Sequence, residues 1–153
     1  NKKLVSLNAA IKSNLKNYLN YYRILTDAVN IKDSFIINIG LEFEITVLSN
    51  FNSNEVLLAC INRVKEFFNI DNWQINQPII KSDLLNTIGN VNGVQSVVGV
   101  NFKNLYNVDE NYSGNIYDLA AATKNEVVYP SLDPSIFEVK FPNKDIKGRV
   151  VTY

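Results

Sequence analysis

The stretch Phe35–Val47, FIINIGLEFEITV, decides the fold. Every odd position in it is apolar: Phe35, Ile37, Ile39, Leu41, Phe43, Ile45 and Val47. Between them stand Ile36, Asn38, Gly40, Glu42, Glu44 and Thr46. Successive side chains of a strand point to opposite faces, so this alternation predicts one long strand with an apolar side and a solvated, mostly polar side. Each large side chain fully buried on the apolar side contributes about 1.5–3 kcal/mol. The strand is therefore the expected floor of the domain. Gly40 interrupts it and predicts a bulge or bend.

Upstream, Leu4, Leu7, Ile11, Leu15, Tyr18 or Leu19, and Tyr22 recur every three or four residues, with Lys12, Asn14, Lys16 and Asn17 between them. That spacing predicts an amphipathic helix fading near Thr26-Asp27. A short strand over 28–31 is expected to pair with the long strand through Lys32-Asp33-Ser34 as a hairpin. Downstream, Asn52 with Glu55 resembles a capping box opening a second helix. Its stripe is Leu57, Ile61, Val64 and Phe68, widened by Val56, Cys60 and Phe67. An extended piece at 73–78 follows. Ser82 is read as the cap of a shorter helix carrying Leu84, Leu85 and Ile88, stopped at Gly89-Asn90. After the Asn92-Gly93 turn, Val94, Ser96, Val98, Val100 and Phe102 are expected on one strand face, with Val97 on the other.

Beyond residue 108 the pattern changes. Tyr112, Tyr117 and a short helical candidate at 118–123 precede extended pieces at 126–129, 136–141 and 148–152. Pro130, Pro134 and Pro142 punctuate them, which suits a strand edge or a surface-hugging tail. Asp133-Pro134 and the 142–145 run read as turns. The expectation is a single α+β domain over 1–153. It consists of a small antiparallel sheet with helices packed on one face (core 4–107) and an extended C-terminal tail (108–153).

Composition narrows the function. Fifteen basic and fifteen acidic residues give zero net charge, hence no electrostatic footprint for nucleic acid or an anionic membrane. No apolar run is long enough to cross a bilayer. The single cysteine forms no internal disulfide. The chain has no His, which removes the commonest general base and metal ligand and every Ser-His or Cys-His nucleophile. It also has no Met and opens at Asn1, so it reads as a piece of a longer or processed polypeptide.

Glu42 and Glu44 lie two apart on one strand face, ~6.5–7 Å by strand rise. Such a pair suits a carboxylate-based glycoside hydrolase or a hard cation, but the plainer reading is the solvated side of the strand. Cys60 lacks a thiolate-stabilising neighbour and reads as a small buried hydrophobe. Tyr18, Tyr21, Tyr22, Tyr117, Tyr129 and Tyr153, without a basic surround, read as core or interface residues. Trp73 with nearby aromatics is the alternative of a ligand-binding module, which requires a deep apolar pocket there. Gly89, Gly93 and Gly99 match no phosphate-loop spacing. Nothing assembles a nucleophile, a base and an oxyanion donor. The expected protein is not an enzyme and carries no cofactor or metal.

Three stretches resemble a known family. They are YRILTDAVNI (22–31) running into FIINIG (35–40); NIDNWQINQPI (69–79) with SDL (82–84) and VNGV (91–94); and YPSLDPSIFEVKFP (129–142) with DIKG (145–148). Together they resemble the C-terminal part of the baseplate wedge subunit of T-even-type contractile-tailed phages. The strand–helix–helix–NGV–strand run is similar to the wider baseplate J-like group. The resemblance spans most of residues 20 to 150. It implies a structural virion protein of the tail baseplate, assembled in the host cytoplasm. Subunits of this kind pair through their C-terminal domains and join neighbouring wedges into the inner ring, so a homodimer or ring contact and other baseplate wedge proteins are the implied partners. No catalytic residue is implied. A scaffold needs apolar faces and aromatic anchors. The residues expected to supply them are Leu19, Tyr21, Tyr22 and Arg23 at the end of the first helix. Phe137, Val139 and Phe141 are expected to supply a C-terminal strand for augmentation.

Overall fold

The computed structural model describes residues 2–22, 28–131 and 133–152. The long strand forms as its alternation predicts: β1 spans Phe35–Val47, with Ile37, Ile39, Leu41, Phe43 and Ile45 all buried. It is the central strand of a four-stranded sheet. One edge pairs antiparallel with β3 (Val94–Asn104), from Ile39 opposite Asn104 to Val47 opposite Val94. The other edge is shared by two short strands, both parallel to β1. β6 (Ser135–Glu138) takes Phe35 to Asn38, and β7 (Ile146–Val150) takes Leu41 to Ile45. The α+β class holds, while the sheet is mixed and not purely antiparallel. Parallel partners need long crossovers, and the chain provides them between residue 47 and the C-terminal third.

Residues 108–153 are therefore not a tail added to a 4–107 core. Phe137, Val139 and Ile146 belong to the same buried cluster as β1. Pro142 opens a single helical turn, α4 (Pro142–Asp145), which turns the chain from β6 into β7. The Asp145 side chain closes that turn by accepting from Phe141 N at 3.0 Å. No strand forms at 28–31. Both edges of β1 near Phe35 are already taken: Phe35 N donates to Pro134 O, and Ser113 Oγ and Asn115 Nδ2 donate to Ile36 O.

Two helices cover the apolar face. α2 (Ser53–Phe67) is capped by Asn52, whose side chain accepts from Asn54 N, and buries Val56, Cys60 and Val64. It packs over β7, where Gly148 makes the approach possible: a Cβ there would lie 2.5 Å from Phe43 and 2.7 Å from Leu57. α3 (Lys81–Gly89) packs on β3 and buries Leu84 and Ile88. Ser82 does not cap it. The strand β2 (Ile79–Ile80) runs straight into the helix, and Lys81 N donates to Glu126 O. A three-stranded sheet forms from β2, β4 (Thr123–Lys124) and β5 (Val127–Val128), so the 118–123 segment is a turn leading into a strand and not a helix.

β3 departs from strict alternation. Its register against β1 shifts between Glu44 and Ile45, so Gly99 faces Glu44 while Val97 faces Ile45. Val98 is the extra residue. Val94, Val97, Val100 and Phe102 pack on the core, whereas Val98 is exposed. A second shift, between Thr46 and Val47, skips Gln95; both irregularities lie beyond Gly40, which pairs regularly with Lys103.

The polar side of β1 is only half solvated. Asn38 is fully buried, with both side-chain polar atoms and its carbonyl partnered. Its Nδ2 donates to Glu138 Oε2 (2.8 Å), its Oδ1 accepts from Ser113 N (2.8 Å), and its carbonyl accepts from Leu105 N (2.9 Å). Asp145, also buried, accepts from Tyr112 OH at 2.6 Å. Burial and that carboxylate push the Tyr112 hydroxyl well above the usual tyrosine range.

Candidate functional site

The N-terminal arm ends in α1 (Ala9–Asn20). Asn8 starts it, its Oδ1 accepting from Ile11 N at 2.8 Å. The helix is shorter than expected: Leu4 and Leu7 of the expected stripe lie in the non-helical arm before it, while Ile11, Leu15, Tyr18 and Leu19 lie on α1, and no residue of α1 is buried. Ile11, Leu15, Tyr18 and Leu19 are all exposed, and beyond the helix Tyr21 and Tyr22 are 87% and 73% exposed. The Tyr18 and Tyr22 rings lean on each other with centroids 5.3 Å apart. Leu19, Tyr21 and Tyr22 are thus each accessible; Arg23 lies outside the described residues.

The arm is fastened to the body at defined points, so this surface is presented in place. Leu4 packs against the core and its N–H donates to Glu138 Oε1 at 2.8 Å. Lys2 pairs with Asp71 (2.9 Å), and Lys12 with Asp33 (2.6 Å). The Lys3 ammonium stands 4.2 Å from the Phe141 ring centre. Glu138 is the centre of this attachment, one oxygen on the arm and the other on Asn38 of β1. Sequence reasoning missed it. In Phe137–Phe141 it occupies the polar position of an alternating run, which reads as solvated.

The second expected surface is not available. Phe137 and Val139 are buried inside this chain's own core, because β6 has already added itself to β1. Phe141 is half-buried, edge-on to Tyr112. Strand augmentation occurs within the chain, and Phe137 and Val139 have no free face to offer a partner.

The carboxylate pair lies on the open part of the sheet. Glu42 Oε1 accepts from Lys103 Nζ at 2.7 Å, and Glu44 pairs with Arg149. The Lys103 hydrogen bond, with Lys103, Lys147 and Arg149 charges nearby, holds the Glu42 carboxyl below the usual carboxylate range. A glycosidase acid needs the opposite shift. Cys60 is buried, and burial pushes its thiol from 9.0 up to about 11, away from nucleophilic thiolate. Trp73 is packed against Phe67 and Phe68, with ring centroids 5.9 and 5.3 Å away. It lines none of the five principal cavities. Tyr117 donates its hydroxyl to Tyr129 O (2.7 Å), Tyr129 itself is exposed, and Tyr153 is outside the described residues. Among the described residues no three His, Cys, Asp or Glu side chains cluster as metal ligands, and no helix is long and apolar enough to cross a membrane.

The largest of the five cavities is an open groove of about 830 Å³ between residues 76–78 and 121–131. Pro78, Ala121, Ala122, Tyr129 and Pro130 line it, with Lys124 among them. No protein-family model matches the sequence, and no curated protein matches it either.

Proposed function

We propose that this chain is a structural assembly module of a contractile phage tail, corresponding to the C-terminal part of a baseplate wedge subunit. It joins wedges by self-association and by contacts with other baseplate proteins, in the virion, after assembly in the host cytoplasm. It performs no catalysis and uses no cofactor. One observation carries the reading: a capped amphipathic helix with no buried residue follows an arm that a buried carboxylate fastens to a well-packed body. Soluble monomers rarely leave such a patch uncovered, and patches of this kind mark protein-protein contacts. The resemblance of residues 20 to 150 to wedge subunits supports the same reading.

Replacing Leu19 and Tyr22 together by Glu tests it. Neither side chain is buried, so the circular dichroism spectrum and melting temperature stay at wild-type values. The solution mass, by light scattering, falls to that of one chain. A double variant with the same assembled mass as wild type refutes α1 as the self-association surface.

A further inference from the structure

The Asn92-Gly93 turn has no part in the assembly proposed above, and it carries chemistry of its own. Asn92 alone among the chain's asparagines is followed by glycine. The pair links α3 to β3. Gly93 takes φ +94°, the left-handed region that suits a residue without a Cβ, and Val94 N donates back to Val91 O at 3.1 Å. A second bond ties the turn to the end of β1, Leu48 N donating to Gly93 O at 3.0 Å. Neither bond uses the Asn92 side chain or the Gly93 N–H. Among the described residues neither of these groups has a hydrogen-bond partner, and Asn92 is exposed to water.

Such a pair lets an asparagine react with its own backbone. The amide nitrogen that follows is held one ring closure from the side-chain carbonyl carbon, so the encounter is already made. A Cβ on the following residue would crowd the attack, and glycine has none. Asn52, followed by the small Ser53, is the contrast. Its side chain is occupied in capping α2, accepting from Asn54 N at 3.0 Å, and Ser53 already belongs to the helix.

We propose that Asn92 is a site of spontaneous modification in the native fold. The Gly93 nitrogen gives its proton to water and attacks Asn92 Cγ. Ammonia leaves, taking a proton, and a succinimide remains. Water then opens the ring. Breaking the bond between that nitrogen and Cγ restores a normal backbone with aspartate at 92. Breaking the bond to the main-chain carbonyl carbon leaves isoaspartate, with Cβ now part of the backbone. The net exchange is water in and ammonia out, with no oxidant or cofactor. The second product disturbs the fold. Gly93 is buried, and a Cβ on it would lie 2.6 Å from Val56 and 2.8 Å from the Phe51 ring. An extra backbone carbon at this turn therefore displaces Phe51 and the start of α2, or breaks the Leu48–Gly93 bond.

Incubation of the full chain at mildly alkaline pH tests this, with digestion and mass spectrometry, electron-transfer fragmentation separating isoaspartate from aspartate. Residue 92 is expected to exchange NH2 for OH before any other asparagine. Its rate should fall no more than about tenfold below that of the chain unfolded in guanidinium chloride, because the fold holds neither reacting group. Asn92→Gln changes an exposed side chain, so it should fold as wild type does and lose the modification. The isoaspartyl fraction, separated by chromatography, should melt below Asn92→Asp, which adds the charge without the backbone carbon. A native rate more than about tenfold below the unfolded one would show that the buried glycine is shielded, and overturns the proposal. Another asparagine reacting first also overturns it. An isoaspartyl fraction that melts together with Asn92→Asp overturns the strain assigned to Phe51 and Val56.

Discussion

Two helices of this chain have the same amphipathic design and opposite fates. α2 buries Val56, Cys60 and Val64 beneath β7 and completes the core. α1 buries nothing, although its stripe is as regular. The difference lies in what the rest of the chain offers each of them. α2 meets a sheet face where Gly148 has been left without a side chain. Among the described residues α1 itself meets one ion-pair partner, Asp33, and the arm before it is held by Lys2 on Asp71 and by Leu4, which packs on the core and donates to Glu138. Amphipathicity says that a helix needs a partner; it does not say whether the partner is in the same molecule.

The largest expected effect breaks the symmetry between the two helices with one type of substitution. Val64→Asp places a carboxylate where no water and no cation reaches, and should cost on the order of 4–5 kcal/mol or prevent folding. Leu15→Asp should leave the denaturation midpoint within about 0.5 kcal/mol of wild type. Cys60 supplies a second readout. Its raised thiol pKa means the native state holds its proton more tightly than the unfolded chain. That contribution to stability is complete below the unfolded value and is lost as pH rises towards about 11. Alkylation of Cys60 at neutral pH should therefore report opening of α2, fast in Val64→Asp and slow in Leu15→Asp. Equal rates would mean that α2 is not held as described.

Next in size is Gly148→Ala. A methyl group there overlaps the Phe43 ring and Leu57, so α2 must lift or β7 must shift, at about 1–3 kcal/mol. Trimming the contact, as Gly148→Ala with Leu57→Ala, should recover part of the loss in urea unfolding. A double variant no more stable than Gly148→Ala alone would show that the close approach is not what constrains α2.

Glu138→Ala sharpens the comparison from the side of α1. It removes the acceptor for Leu4 N and leaves the Asn38 amide without a partner inside the fold. A buried donor left unsatisfied costs about 1–3 kcal/mol. The distinguishing readout is local. Leu4 should exchange its amide hydrogen at a free-peptide rate, while the β1–β3 ladder keeps its protection. Protection retained at Leu4 would mean that the arm is held by its ammonium groups alone.

These contrasts show how much of the molecule could be read from its residues. β1 was legible because seven alternating apolar positions admit one local conformation. α2 was legible because a cap and a stripe agree. The pairing of β6 and β7 with β1 was not, because residues about 100 positions apart meet through a face pattern shared by several short segments. The bulge at Val98 was also hidden: inserting one residue moves Val97 inward and Val98 outward without changing composition. For the candidate surface, the sequence identified Leu19, Tyr21 and Tyr22 by type and spacing. It could not separate them from Phe137 and Val139, which have the same chemistry and lie in the core. Burial depends on the neighbours a segment finds in space. Glu138 and Asn38 were missed for that reason, since a polar residue on an alternating strand reads the same whether water or a buried partner faces it.

The smallest effect concerns the Lys12–Asp33 pair, the one fastening that involves α1 itself among the ion pairs of the described residues. Both side chains are partly exposed, at 28% and 39%, so Lys12→Ala should change global stability by no more than about 0.2–1 kcal/mol. Its influence on the arm should be larger in proportion, because no buried side chain of α1 shares the load. Spin labels at Ser13 on the helix and Asn101 on β3 would follow it. Wild type should give a narrow distance distribution that broadens in Lys12→Ala and, for wild type, with added salt. A body-packed helix such as α2, labelled at Asn62, should show neither change. If the Lys12→Ala distribution stays as narrow as wild type, α1 is positioned by the attachments of residues 2–4 and not by its own ion pair.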